Sequence, residues 1–141
     1  KIGKHIPEKF AHKYYNEITV GIDFTARDLQ KKLKEKGLPW EKAKAFDGSA
    51  CVGKFIPKEL LSERENINFH LHKNGEIVQK GITSDMIFSI NQLISYISTF
   101  FTLKIGDLIF TGTPAGVGKV SKDDYLQGFL ENQQLFSLNV K

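Results

Sequence analysis

The densest run of polar chemistry in the chain is Asp23-Phe24-Thr25-Ala26-Arg27-Asp28-Leu29-Gln30. Eight positions hold two carboxylates, a hydroxyl, a guanidinium and an amide. Asp23 is a hard oxygen donor of the kind magnesium and manganese take. Such ions need several oxygens, so a lone Asp at a strand end also reads as a turn or cap residue. Arg27 and Asp28 by themselves read as a helix-surface pair. Lys44 lies further on, among small and aromatic residues. Desolvation there would favour the neutral amine and suit it to act as a base, or as a cation facing an enolate; a surface lysine is the bland alternative.

Other candidates carry less. Cys51 is the single cysteine and has no His or Asn partner in sequence, so a nucleophilic role is not supported. His70-x-His72 puts two imidazoles on one strand face, but no third ligand is evident and a solvated face is favoured. His5 and His12 are seven apart and read as surface histidines. Thr111-Gly112-Thr113-Pro114-Ala115-Gly116-Val117-Gly118-Lys119 resembles a phosphate loop at first sight. Its glycines are one residue too far apart for the nucleotide pattern, and Val120 stands where a Ser or Thr would hold magnesium. It reads as a tight loop whose N–H groups and hydroxyls suit an anion such as a carboxylate.

The elements that position these residues follow from periodicity. Pro7-Glu8-Lys9-Phe10-Ala11 allows a short helical turn opened by proline. Ile18, Val20 and Ile22 alternate with Thr19, Gly21 and Asp23, which predicts a strand over 17–23. Thr25 with Asp28 three residues later predicts a capped helix, lined by Leu29 and Leu33 and stopped at Gly37. Residues 40–58 show no clean period and read as a long loop with short extended pieces. Residues 66–80 predict a hairpin turning at Asn74-Gly75. A helix is expected over 84–101, with Ser84 as cap and Met86, Ile87, Ile90, Leu93, Ile94, Ile97 and Phe101 at helical spacing. Gly106-Asp107 then turns into a strand Leu108-Ile109-Phe110, and Phe136, Leu138 and Val140 predict a closing strand. Strands and two main helices do not alternate regularly, so a parallel dinucleotide-binding sheet is not expected.

Bulk properties set the frame. A chain of 141 residues, 40% hydrophobic and 26% charged, suits one domain with one core. The net charge of +4 reads as spread along the chain rather than gathered in one block. Lys31-Lys32-Leu33-Lys34-Glu35-Lys36, the densest basic run, reads as a solvated helix face; neither nucleic acid nor membrane is expected as a partner. A basic excess also suits an anionic small molecule. One cysteine and no signal-like N-terminus make the cytoplasm the default compartment.

In order, Asp23-Phe24-Thr25-Ala26-Arg27-Asp28-Leu29-Gln30, Gly37-Leu38-Pro39-Trp40 with Lys44 and Phe46, Asn74-Gly75 with Gln79, Thr83-Ser84-Asp85-Met86-Ile87-Phe88, Gly106-Asp107 and the Thr111 to Gly118 loop resemble the fumarylacetoacetate hydrolase family. The resemblance runs from about residue 14 to the C-terminus. It is closest to the branch with acylpyruvate hydrolases, oxaloacetate decarboxylases and the isomerases of homoprotocatechuate breakdown. It implies a mainly β (α+β) fold, a mixed β-roll, as a single domain over 1–141, and a homodimer. It also implies a divalent metal, Mg2+ or Mn2+, held by one Asp and two Glu. Asp23 matches the metal ligand, Arg27 and Gln30 match residues beside the substrate, Lys44 matches the active-site lysine, and Thr113 matches the threonine that holds the substrate carboxylate. The implied substrate is a small anionic 2-keto or 2-hydroxydienoate acid, cleaved by hydrolysis or decarboxylation in preference to isomerisation of a 2-hydroxyhepta-2,4-diene-1,7-dioate.

One feature departs from that pattern. The family's Glu-x-Glu ligand pair should lie well before Asp23, and here Glu8 and Glu17 are nine residues apart in the wrong context. The expectation is that the pair lies on an N-terminal segment outside these residues. The alternative is a shortened, non-catalytic binding or structural member of the family.

Overall fold

In the computed structural model, which describes residues 1–61 and 66–141, short antiparallel strand pairs flank a four-stranded antiparallel sheet. Strand β1 (Glu17–Ile18) pairs with β4 (Ile56–Pro57), and β2 (Gly21–Asp23) with β3 (Ala50–Val52). The larger sheet runs in the order β6 (Glu76–Ile82), β5 (Asn68–Lys73), β7 (Tyr125–Leu130), β8 (Gln133–Asn139). The longer helices are α2 (Arg27–Glu35) and α4 (Ile90–Phe100), with single turns at α1 (Glu8–Ala11) and α3 (Glu41–Lys44). The α+β expectation holds.

Local chemistry explains most boundaries. Asn74 and Gly75, at φ 54 and 89, form the left-handed pair that a two-residue hairpin turn needs. Helix α2 ends in a paired cap: Leu38 N–H donates to Leu33 O at 2.9 Å and Gly37 N–H to Lys34 O at 3.1 Å, with Gly37 at φ 62. A residue with a Cβ would be strained there.

Four expectations are corrected. The long helix begins at Ile90 rather than near Ser84. Ser89 accepts from Gln92 N–H while the Gln92 side chain accepts from Ser89 N–H, a reciprocal cap that fixes the start. Residues Thr83–Asp85 form a tight 3-10 turn instead, and Thr83 Oγ1 accepts from Ile67 N–H. Residues 108–110 form no strand, and Leu108 and Phe110 stay exposed. Residues 40–58 contain the helical turn α3 as well as β3 and β4. The expected strand over 17–23 is broken into β1 and β2. Strand β7 was not anticipated; Gly128 interrupts its apolar alternation, because the Phe136 ring covers that position.

Two apolar clusters form the core. Ile67, Leu130 and Leu135 pack under the large sheet. Ile6, Ala11, Ile94 and Leu103 join the first residues to α4. Gly3 bridges Leu103, and Ile6 N–H donates to Ser98 Oγ at 2.8 Å while Ser98 Oγ donates to Ser95 O at 2.7 Å. Ser98 is fully buried. Ser98→Ala would leave the Ile6 N–H without a partner in a dry site. The expected outcome is a loss of about 1–3 kcal/mol in denaturant unfolding at unchanged m-value.

Candidate functional site

The strand β2 ends at Asp23, opposite Ala50, and the chain leaves the sheet with Phe24 N–H bonded to Ser49 O at 2.7 Å. Ala26 N–H then bonds to Ala43 O at 3.0 Å. Ala43 is fully buried, so the first turn of α2 and the turn α3 meet without an intervening side chain. Lys44 is the next residue. Its ammonium pairs with Asp23 Oδ2 and donates to Thr25 Oγ1 at 3.0 Å. Thr25 donates in turn to Asp23 O at 3.4 Å. The expected helix cap is therefore absent: α2 starts after Ala26 with no side-chain cap, because Lys44 and Asp23 engage the Thr25 hydroxyl.

The structure thus brings Asp23 and Lys44 together across 21 residues. The lysine side chain is 34% exposed and the carboxylate 45%. The pair is half in water, and its contribution to stability is small. Lys44 is not buried in the way its neighbours in sequence suggest; its side chain is held against a carboxylate. Arg27 and Gln30 sit one turn apart on α2, with Arg27 donating to Gln30 Oε1 at 3.4 Å. Beside Lys44, an open hollow of ≈ 690 Å³ is lined by Leu38, Pro39, Trp40 and Ala45 among others.

Thr113 is held by a separate contact. Gln79 Nε2, on β6, donates to Thr113 Oγ1 at 3.0 Å and to Pro114 O at 3.1 Å. Gly116, at φ 97, lets the loop press against the same strand: a Cβ there would stand 2.5 Å from Val78 O. With its oxygen already accepting from Gln79, the Thr113 hydroxyl keeps its proton free to donate to an anion. Gln79 is the residue sequence reasoning placed in the motif order without a task.

Among the described residues no group of three His, Cys, Asp or Glu could hold a metal ion. Asp23 fits one corner of a divalent centre as a hard oxygen donor, and the donor set around it is incomplete without further oxygens.

The two strand histidines do not form the solvated face expected of them. His70 stacks on Phe129 with ring centroids 4.7 Å apart, and His72 lies 5.0 Å from His70 and 4.7 Å from Phe129. His72 Nε2 is buried with no hydrogen-bond partner among the described residues. Burial first, then the neighbouring His72 and Lys80, lower the pKa of His70. The folded state therefore resists the proton that the unfolded chain accepts. Stability is full above the ordinary imidazole value near 6.5 and falls as pH drops below it. Asp124, lowered by hydrogen bonds from Ser121 N–H and the Asn74 amide, loses its contribution only below 3.8. Thermal unfolding between about pH 7.5 and 5 should show a declining midpoint, and His70→Gln should flatten that decline.

A model of the fumarylacetoacetate (FAA) hydrolase C-terminal domain matches residues 1–137. A mouse protein described as oxaloacetate tautomerase FAHD1, mitochondrial, is 43% identical over 141 residues, all of this chain and 64% of the mouse protein. Oxaloacetate tautomerase YcgM of Escherichia coli (strain K12) is 51% identical over 108 residues, 76% of this chain and 49% of that protein. Among solved structures, fumarylpyruvate hydrolase from Pseudomonas aeruginosa, in complex with Mn2+ and pyruvate, superposes with a TM-score of 0.92 at 38% identity. That match covers 99% of this chain and 60% of the other. The chain thus spans about half to two thirds of the length of these relatives.

Proposed function

This chain belongs to the fumarylacetoacetate hydrolase family, and on that premise we propose that it is part of an enzyme acting on a small 2-keto acid through an enol or enolate. The observation that carries the reading is the Lys44 ammonium held between Asp23 and Thr25 beside an open hollow. Tautomerisation of an oxaloacetate-like dianion is the leading reaction, supported by the names of the mouse and Escherichia coli relatives. This places proton transfer ahead of the C–C bond cleavage that the residue pattern alone favours.

Each residue then has a task. Arg27 and Gln30 bind a substrate carboxylate, the guanidinium by charge and the amide by donation. Thr113, oriented by Gln79, donates its hydroxyl proton to a carboxylate oxygen. Lys44 faces the developing enolate as a cation and, in the enol-to-keto direction, gives its proton to the adjacent carbon while the enol oxygen loses its own. Asp23 pairs with Lys44 through Oδ2 and would be one hard ligand for Mg2+ or Mn2+, the latter being the ion in the Pseudomonas aeruginosa complex. A bound divalent ion would supply Lewis-acid stabilisation of charge on the keto oxygen. Its remaining carboxylates come, in this reading, from an upstream segment outside residues 1–141.

A second reading, C–C hydrolysis of an acylpyruvate, is favoured by the fumarylpyruvate hydrolase neighbour. A homodimer fits the exposed Tyr96, Phe100 and Phe101 on and after α4. The free Cys51 suits a reducing compartment, the cytoplasm or, as in the mouse relative, mitochondria.

The test uses the full-length protein with oxaloacetate and with acetylpyruvate, each with and without added Mg2+ or Mn2+. Faster keto–enol equilibration of oxaloacetate supports tautomerisation; acetylpyruvate cleavage alone supports the second reading; neither overturns the proposal. Lys44→Ala should lower kcat by about 10²–10⁴-fold. Its unfolding midpoint should barely move, since the ion pair it breaks is half exposed.

A further inference from the structure

The positive excess of this protein is local, contrary to the even spread read from the bulk count. Between Arg27 and Lys44 stand seven cationic residues and three carboxylates, while the rest of the chain holds thirteen of each. The whole net charge of +4 therefore belongs to α2, α3 and the turn between them. These elements pack on each other and carry Arg27, Gln30 and Lys44. On a helix of 3.6 residues per turn, Arg27, Lys31 and Lys34 fall within about 60° of one another, and Gln30 borders them. They lie opposite the half-buried Leu29 and Leu33, and all three cations are exposed.

A helix needs no such excess to stay in solution; alternating signs do that at lower repulsion. What a single-signed stripe ending at a small-molecule site does is raise the local concentration of opposite charge. We propose that Lys31 and Lys34 form an electrostatic capture stripe leading to Arg27, which makes the site selective for dianionic over monoanionic 2-keto acids. The inference rests on the function proposed above and adds how the site discriminates between substrates by charge. Attraction along the stripe scales with ligand charge, so a dianion gains twice the free energy of a monoanion and the square of its enrichment. The stripe touches no reacting atom. It acts on capture and leaves the chemical step alone.

The experiment titrates the full-length protein with oxalate, a dianion, and pyruvate, a monoanion, in a background of its divalent ion. Salt is set at about 0.01 M, where fields reach ~30 Å, and at about 1 M, where they reach ~3 Å. Lys31→Glu/Lys34→Glu should weaken oxalate about tenfold and pyruvate about threefold at low salt, with both losses vanishing at high salt. Lys9→Glu/Lys13→Glu, the same charge change near α1, should leave both affinities in place. Equal losses for the two ligands, losses that persist at high salt, or an equal effect of the control pair would overturn the stripe. A parent protein that binds neither ligand would overturn the functional reading along with it. Binding with the expected salt pattern but without turnover would overturn only the reaction proposed.

Discussion

The placement of Lys44 at the candidate site depends on one close approach: Ala26 N–H against Ala43 O, with the Ala43 methyl fully buried. Only a small side chain permits two helical turns to meet at backbone distance. The contact fixes where α3 points, and so where Lys44 falls relative to the end of β2. Asp23 is held independently by its pairing with β3, through Ala50 and the Ser49 carbonyl. Two rigid supports thus converge on one ion pair. A larger residue at position 43 would push the lysine away from the carboxylate without touching either charged group.

The same logic holds the Thr113 loop, the other candidate for binding an anion. The Thr113 loop has no regular structure of its own, yet it is pinned to β6 by the Gln79 amide and by the bare Gly116 against Val78 O. Gln79 lies on β6, whose ladder with β5 is among the longest in the molecule. Sheet stiffness is thereby passed to a loop hydroxyl. A hydroxyl so held needs little further ordering when an anion arrives, which favours binding by lowering its entropic cost.

Much of this was legible in the chain because the signals are local. The Asn74-Gly75 turn, the stop at Gly37, the Pro7 turn and the closing strand each depend on a few adjacent residues. What could not be read depends on distant partners. Thr25 has the spacing of a cap, but Lys44, nineteen residues on, claims its hydroxyl. Leu108 and Phe110 alternate like a strand but form no ladder among the described residues and stay exposed. His70 and His72 read as solvated because nothing nearby in sequence announces Phe129 beside them. Ser84 and Ser89 both have cap chemistry; Gln92, placed to answer only Ser89, decides between them.

The docking of the first residues onto α4 has a kinetic side. Ile6 N–H reaches Ser98 Oγ across 92 positions, and Gly3 and Leu103 bond in both directions. Loop-closure entropy grows only as the logarithm of loop length, so the final stability bears this cheaply. The folding route does not, because contacts so far apart in the chain cannot form until intervening structure has shortened the search. The cluster of Ile6, Ala11, Ile94 and Leu103 should therefore close after the Asn74-Gly75 hairpin, making the N-terminal arm a latch that completes folding instead of starting it.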